Sequence, residues 1–180
     1  MPERCVALLR GVNVGTARRI AMADLRDVVE GLGCRGVRTL LNSGNVVFTP
    51  PRVTATLAAS IQQAIYHELG VDSRVTVLPA RQLDAIVSAN PLGRLATDPS
   101  RYLVSVLAHP DDRARLVPLA RQDWRPEAFA LGERAAYLWL PDGVSHSRTL
   151  KAVEKAVGDR QTSRNWATIL KLHALATSAD

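Results

Sequence analysis

Leu8-Leu9-Arg10-Gly11-Val12-Asn13-Val14-Gly15 opens as an apolar strand and breaks into a loop bracketed by two glycines. Reading outward from it decides the fold. Arg4–Leu9 is apolar enough to run as a strand through the core of a sheet. The loop then runs from Arg10 to Ala21. Met22–Leu32 follows as a helix, with Met22, Leu25, Val29 and Leu32 on one face and Asp24 in the first turn, where the helix dipole favours a negative charge.

Two further strands are expected at Val37–Leu41 and Val46–Thr49, joined by Asn42-Ser43-Gly44-Asn45, which has the composition of a tight turn. Pro50-Pro51 ends the sheet segment. Val53–Leu69 reads as a helix with Val53, Leu57, Ile61 and Ile65 inward, and Ser73–Leu78 as a fourth strand. The order βαββαβ is the ferredoxin-like unit. Ala80–Ala89 is a short helix ended by Asn90-Pro91, and Pro91–Ser100 reads as a linker.

The second half repeats the first. Strands are expected at Tyr102–Leu107, Glu127–Leu131 and Ala135–Leu140, and helices at Asp111–Arg121 and Ser147–Val157. A last helix, Arg164–Ala176, stands where a closing strand is due. The fold class is therefore α+β: duplicated ferredoxin-like βαββα(β) units packed together, with an additional C-terminal helix. The subdomains would span residues 1–90 and 91–180 of one compact unit. The halves differ in one place. The first strand-to-helix connection is long and glycine-bearing in half one, but only Ala108-His109-Pro110 in half two. Short connections are the norm, and enlarged loops at the carboxyl ends of strands are common ligand sites.

Composition sets limits. The chain is 47% hydrophobic and 22% charged, ordinary for a globular protein with a real core. No apolar run approaches the roughly 20 residues of a membrane span, and Met1-Pro2-Glu3-Arg4 has no signal-peptide pattern. A cytoplasmic protein without membrane attachment is expected. Cys5 and Cys34 lack metal-ligand spacing and read as reduced, partly buried thiols. The net charge is +6, carried by twenty arginines and three lysines. No lysine- or arginine-rich run is present, so nucleic acid is the second choice of partner after a small anion.

The polar residues that can carry chemistry fall into three segments. Arg10, at a strand end, has a fixed root from which a guanidinium can clamp an anion or bridge to a carboxylate. Gly11 and Gly15 allow close approach to the backbone, but the loop has neither GxGxxG nor P-loop spacing. On the expected last helix, Arg164, Thr168 and Lys171 share a stripe, while Trp166, Ile169, Leu170 and Leu172 point into the core; Thr162 or Ser163 would cap it. An arginine in a helix's first turn opposes the dipole unless an anion lies there. His67, His109, His146 and His173 have no metal-ligand spacing, and no carboxylate pair stands out for acid–base work. No catalytic residue, metal or cofactor is indicated. Phe48 is expected in the core, which leaves the sheet without a base-stacking aromatic.

Leu8–Gly15, Met22–Arg26, Val37–Phe48 and Thr162–Leu172 together resemble the bacterial family known as domain of unknown function 1697. The shared pattern is Leu-Leu-Arg-Gly-x-Asn-Val-Gly, Met-x-x-Leu-Arg, a Val-Arg-Thr segment leading to Ser-Gly-Asn-Val-Val-Phe, and Thr-x-Arg-Asn-Trp-x-Thr-x-x-Lys-Leu. The resemblance implies two packed ferredoxin-like subdomains and assigns no activity. The chain departs from the family at Thr16, Ala17, Arg18 and Arg19, where a second glycine and a lysine are usual, and at Leu40, often tyrosine. The resulting expectation is a site formed by Arg10, Asn13, Ser43, Asn45, Arg164, Asn165 and Lys171. They would hold a phosphate- or carboxylate-bearing molecule in a cleft between subdomains. An enzyme using the same pocket on a phosphorylated substrate is an alternative.

Overall fold

The computed structural model describes residues 2–178. Contacts divide the chain into two units, Met1–Leu83 with Lys171–Asp180, and Asp84–Leu170.

In the first unit, strand β1 (Cys5–Leu9) leads through the long loop to helix α1 (Met22–Gly31). Strands β2 (Arg35–Leu40) and β3 (Asn45–Thr49), helix α2 (Leu57–Leu69), strand β4 (Val75–Pro79) and helix α3 (Ala80–Ala89) follow. The sheet is antiparallel with order β2-β3-β1-β4. One face carries Cys5, Ala7, Leu9, Val46 and Phe48 into a core with Leu25 and Val29 of α1 and Ile61 and Ile65 of α2. Phe48 is fully buried, as expected. Cross-strand partners share a face, so Val6, Val47 and Leu78 stand together on the other face, as do Leu8, Asn45 and Thr76. All six are buried. Helix α2 starts four residues later than expected, leaving Val53 exposed.

The second unit contains strand β5 (Tyr102–Leu107), helix α4 (Arg113–Leu116), strands β6 (Ala128–Leu131) and β7 (Ala135–Trp139), helix α5 (Arg148–Val157), strand β8 (Gln161–Asn165) and the start of helix α6 (Trp166–Thr177). Its sheet order, β6-β7-β5-β8, repeats the first. The helix expected at Asp111–Arg121 is broken into a single α turn between two 3-10 segments. Pro118 lacks a backbone donor and its ring clashes within a continuous helix. Leu103, Leu107, Ala136 and Leu138 form a core with Leu116 and Val153. On the opposite face Tyr102 stacks on Trp166 at 5.0 Å, and the Tyr137 hydroxyl donates to the Ile86 carbonyl at 2.7 Å.

Strand β8 corrects the sequence reading. The closing strand is present, and the last helix starts at Trp166, two residues later than expected. Each unit is thus a full βαββαβ with a following helix. The expected face of that helix also changes: Thr168 is buried and Leu170 is 40% exposed, the reverse of their assigned sides. Asn165, instead of Thr162 or Ser163, caps the helix, accepting from the Thr168 N–H at 2.9 Å.

Candidate functional site

The carboxyl end of β1 is pinned from both sides. The Leu9 N–H donates to the Gly44 carbonyl and the Arg10 N–H to the Arg74 carbonyl, both at 2.9 Å, and the Ser73 hydroxyl donates to the Arg10 carbonyl at 2.9 Å. Gly44 is required for this approach. Its φ is +83°, and a Cβ there would lie 2.7 Å from Leu9 Cβ and 2.8 Å from Val12 Cγ2.

Beyond Arg10 the loop folds back on itself. The Asn13 N–H donates to the Arg18 carbonyl at 3.0 Å, and Val14 bridges Ala17. The Asn13 side chain is the loop's internal tie. Its amide donates to the carbonyls of Ile20 at 2.9 Å and Asn42 at 2.7 Å, and its oxygen accepts from the Ile20 N–H at 2.8 Å. Asn45, fully buried, donates to the Leu40 carbonyl and to the Ser43 hydroxyl, each at 2.9 Å. The β1–α1 loop and the β2–β3 turn are thereby locked together, and Asn13 and Asn45 use their amides on backbone and turn.

Asn13, Arg18 and Leu41 adopt positive φ (54°, 51° and 57°), three of the four non-glycine residues that do so among those described. Such conformations cost about 1–3 kcal/mol each and concentrate at functional sites. The loop tips also expose apolar surface, with Val14 at 71% and Leu41 at 52%. Arg18 Nη1 lies 3.5 Å from where a Gly11 Cβ would sit, so its guanidinium comes close to the exposed Gly11, the residue after Arg10. Among the described residues, no carboxylate lies within ion-pair distance of Arg18. Sequence reasoning passed over Arg18, since its left-handed backbone and position near Gly11 leave no mark in the residue pattern.

The structure brings Arg10, Asn13, Ser43 and Asn45 together around the two locked turns. Arg164 and Asn165 are neighbours on β8 of the second unit, and Lys171 is exposed on α6. Arg164 is not in a helix's first turn. It pairs with Val104 in the sheet and donates to the Ser163 carbonyl at 2.9 Å. Burial lowers its guanidinium from 12.5 to about 10, which leaves it charged at neutral pH. The dipole argument for an anion at that point therefore lapses.

Two cavities in the first unit lie apart from these residues, one at Pro2, Gly33, Arg35, Thr49, Pro50 and Pro51, the other at Gln62, Gln63, Tyr66 and Asp72. Among the described residues no group of three His, Cys, Asp or Glu is placed to hold a metal. No helix there is long and apolar enough to cross a membrane. Cys5 and Cys34 are free, buried thiols; burial pushes Cys5 up to about 12.

The family model for the protein of unknown function DUF1697 matches residues 2–137. The chain belongs to that family. The matched span holds the β1–α1 loop and the β2–β3 turn, while the Thr162–Leu172 segment lies beyond it. Among curated proteins none matches. The chain is similar in structure to the conserved bacterial protein SP0830 from Streptococcus pneumoniae, with a TM-score of 0.74 and 21% identity over 97% of this chain and 99% of that one. That likeness concerns the fold.

Proposed function

We propose that this DUF1697 protein binds a small phosphate- or carboxylate-bearing molecule, and that Arg10 and Arg18 at the β1–α1 loop of the first unit meet its anionic group. The observation that carries the reading is the strained loop. Asn13 locks it, Arg18 takes a left-handed backbone within it, and the Arg18 guanidinium comes close to Gly11, the residue after Arg10. Guanidinium forks fit both phosphate and carboxylate oxygens in bidentate fashion. The exposed main chain at Gly11 adds room for close approach.

The test is a thermal-shift screen with inorganic phosphate, phosphorylated metabolites and simple carboxylates on the wild-type chain and on Arg18→Gln. A ligand that binds only the native state raises the melting temperature in proportion to RT ln(1 + [L]/Kd). The expected result is a saturable rise that Arg18→Gln weakens about tenfold or more, the scale of a charge-assisted pair, with its own melting temperature unchanged. A rise that Arg18→Gln and Arg10→Gln both leave intact would place the ligand elsewhere.

A further inference from the structure

The far end of β3 offers a second, separate site. Asn45 begins that strand at the locked turns, and Thr49 ends it at a cavity of about 380 Å³. This volume lies within the roughly 300–1,000 Å³ of small-molecule sites. Three proline rings, Pro2, Pro50 and Pro51, supply apolar walls. Gly33 completes the lining at φ +81°, where an added Cβ would stand 3.3 Å from the Pro51 ring. Thr49 and Arg35 are direct cross-strand partners, so their side chains stand together on one face. A register shift between Arg35 and Arg38, with Gly36 at φ +58°, interrupts the edge strand next to them. Bulges of this kind re-aim a side chain at a sheet edge. Among the described residues, neither the Arg35 guanidinium nor the Thr49 hydroxyl has a hydrogen-bond or ion-pair partner.

The geometry points to a binding site for a small monocarboxylate with an apolar body. Arg35 takes the carboxylate through its fork, Thr49 donates a further hydrogen bond, and the proline walls take the hydrocarbon. Among the described residues one cation, Arg35, lines the cavity, which matches a single negative charge; a phosphate dianion would leave a net charge against three proline rings. Polar recognition therefore sits at one edge, and the rest of the enclosure is apolar, the division typical of sites that fix a ligand's orientation with few polar groups.

The experiment is an amide-resolved NMR titration of the full chain with benzoate, benzyl alcohol, acetate and inorganic phosphate. Saturable benzoate shifts are expected at Gly33, Arg35 and Thr49. Acetate, without the apolar body, and benzyl alcohol, without the charge, bind about tenfold more weakly or worse, the scale of the buried ring area in the first case and of one charged hydrogen-bonded contact in the second. Arg35→Gln weakens benzoate by a similar factor, and Thr49→Val by less; both positions lie at the sheet edge or its end, and unchanged spectra elsewhere establish that the variants fold. The inference is overturned if benzoate gives no saturable shift at these residues, if Arg35→Gln binds it as well as wild type does, or if phosphate matches it. Because the same spectra report Gly11 and Arg18 separately, this site and the loop site stand or fall independently.

Discussion

The two units end their first strand in the same frame and finish it in opposite ways. In the first unit the Leu9 N–H meets the Gly44 carbonyl and the Arg10 N–H meets the Arg74 carbonyl. In the second, the Leu107 N–H meets the Arg134 carbonyl and the Ala108 N–H meets the Arg160 carbonyl, at 2.8 Å each. From there they diverge. Arg134 folds over the end of β5 and donates to the carbonyls of Leu107 and Ala108 at 3.0 and 3.3 Å. Arg160 is paired with the buried Asp112 at 3.0 Å. The first unit has glycine where the second has Arg134, and the long loop fills the space, with Val12 against Gly44. Closing the strand end with an arginine leaves no room for such a loop. A glycine there admits one, and with it Arg10 and Arg18. Duplication supplied the frame, and one position decides whether its end is sealed or available.

The two sheets also differ on the face away from their α1–α2 and α4–α5 helices. The registers place Leu78 opposite Val6 and Arg164 opposite Val104, so a fully buried leucine in one unit corresponds to an arginine in the other. Copying the second unit into the first by Leu78→Arg is the most damaging change the comparison suggests. It buries a charge in a site that holds leucine, and we expect a loss of about 4 kcal/mol or more, enough to unfold a marginal domain. Urea denaturation followed by circular dichroism measures it. A loss under about 1 kcal/mol would mean that this face of the first unit takes an arginine as the second does, and the contrast between the two sheets would fall.

That correspondence was only half legible in the sequence. The first unit follows the apolar rhythm of its strands, and its elements were placed to within a few residues. Strand β8 was missed because its positions facing the α4–α5 core are not apolar. Gln161 and Ser163 fill them, and they are satisfied by each other and by Ser105: Ser105 and Ser163 hydroxyls lie 2.6 Å apart, and Ser163 donates to Gln161 at 2.7 Å. A buried polar chain of this kind satisfies its members as an apolar strand would, yet leaves no hydrophobic alternation to read. Of the candidate site, the enlarged loop and Arg10 were visible from loop length and residue type. The internal ties of Asn13 and Asn45, and the position of Arg18, depend on left-handed backbone that no residue pattern declares.

A smaller break targets the strand ends themselves. Gly44→Ala forces a Cβ against Leu9 and Val12 at a backbone angle that L-residues rarely adopt. A loss of about 2–4 kcal/mol is expected from the combined clash and strain. Arg134→Ala, at the matching position, removes hydrogen bonds from a half-buried guanidinium and should cost about 1–2 kcal/mol. Thermal melts of the two variants side by side give the comparison, and equal losses would refute the sealed-versus-open account.

Alkali separates the units by chemistry. Tyr102 and Tyr137 both belong to the second, and burial, with Tyr137 hydrogen-bonded to Ile86, accompanies phenols pushed from 10.0 up to about 12. The folded pKa is above the unfolded one. Their contribution is therefore complete below pH 10 and is lost as pH rises through about 12, on the order of 2 kcal/mol per ring. In Tyr66→Phe, where only these two phenols remain, absorbance at 295 nm should stay flat through pH 10 and rise near pH 12 together with loss of the second unit's structure. Ionisation near pH 10 without unfolding would show that the rings are open to solvent.

The smallest effect lies where the last strand of each unit turns into a helix. Register places Pro79 and Asn165 at the same point, opposite Cys5 and Leu103. Proline closes β4 without a donor to satisfy, and helix α3 begins with the Ala80 N–H bound to the Arg4 carbonyl at 2.8 Å. Asn165 instead lends its side-chain oxygen to Thr168. Asn165→Ala should therefore cost about 1 kcal/mol, the value of an N-cap, and Asn165→Asp should recover it because a carboxylate accepts the same bond and suits the positive end of the helix. Were Asn165 to hold more of the fold than the helix start, Asp would not rescue Ala, and the loss in a urea melt would exceed that of a cap by several-fold. The paired variants thus tell a local capping role from a wider structural one.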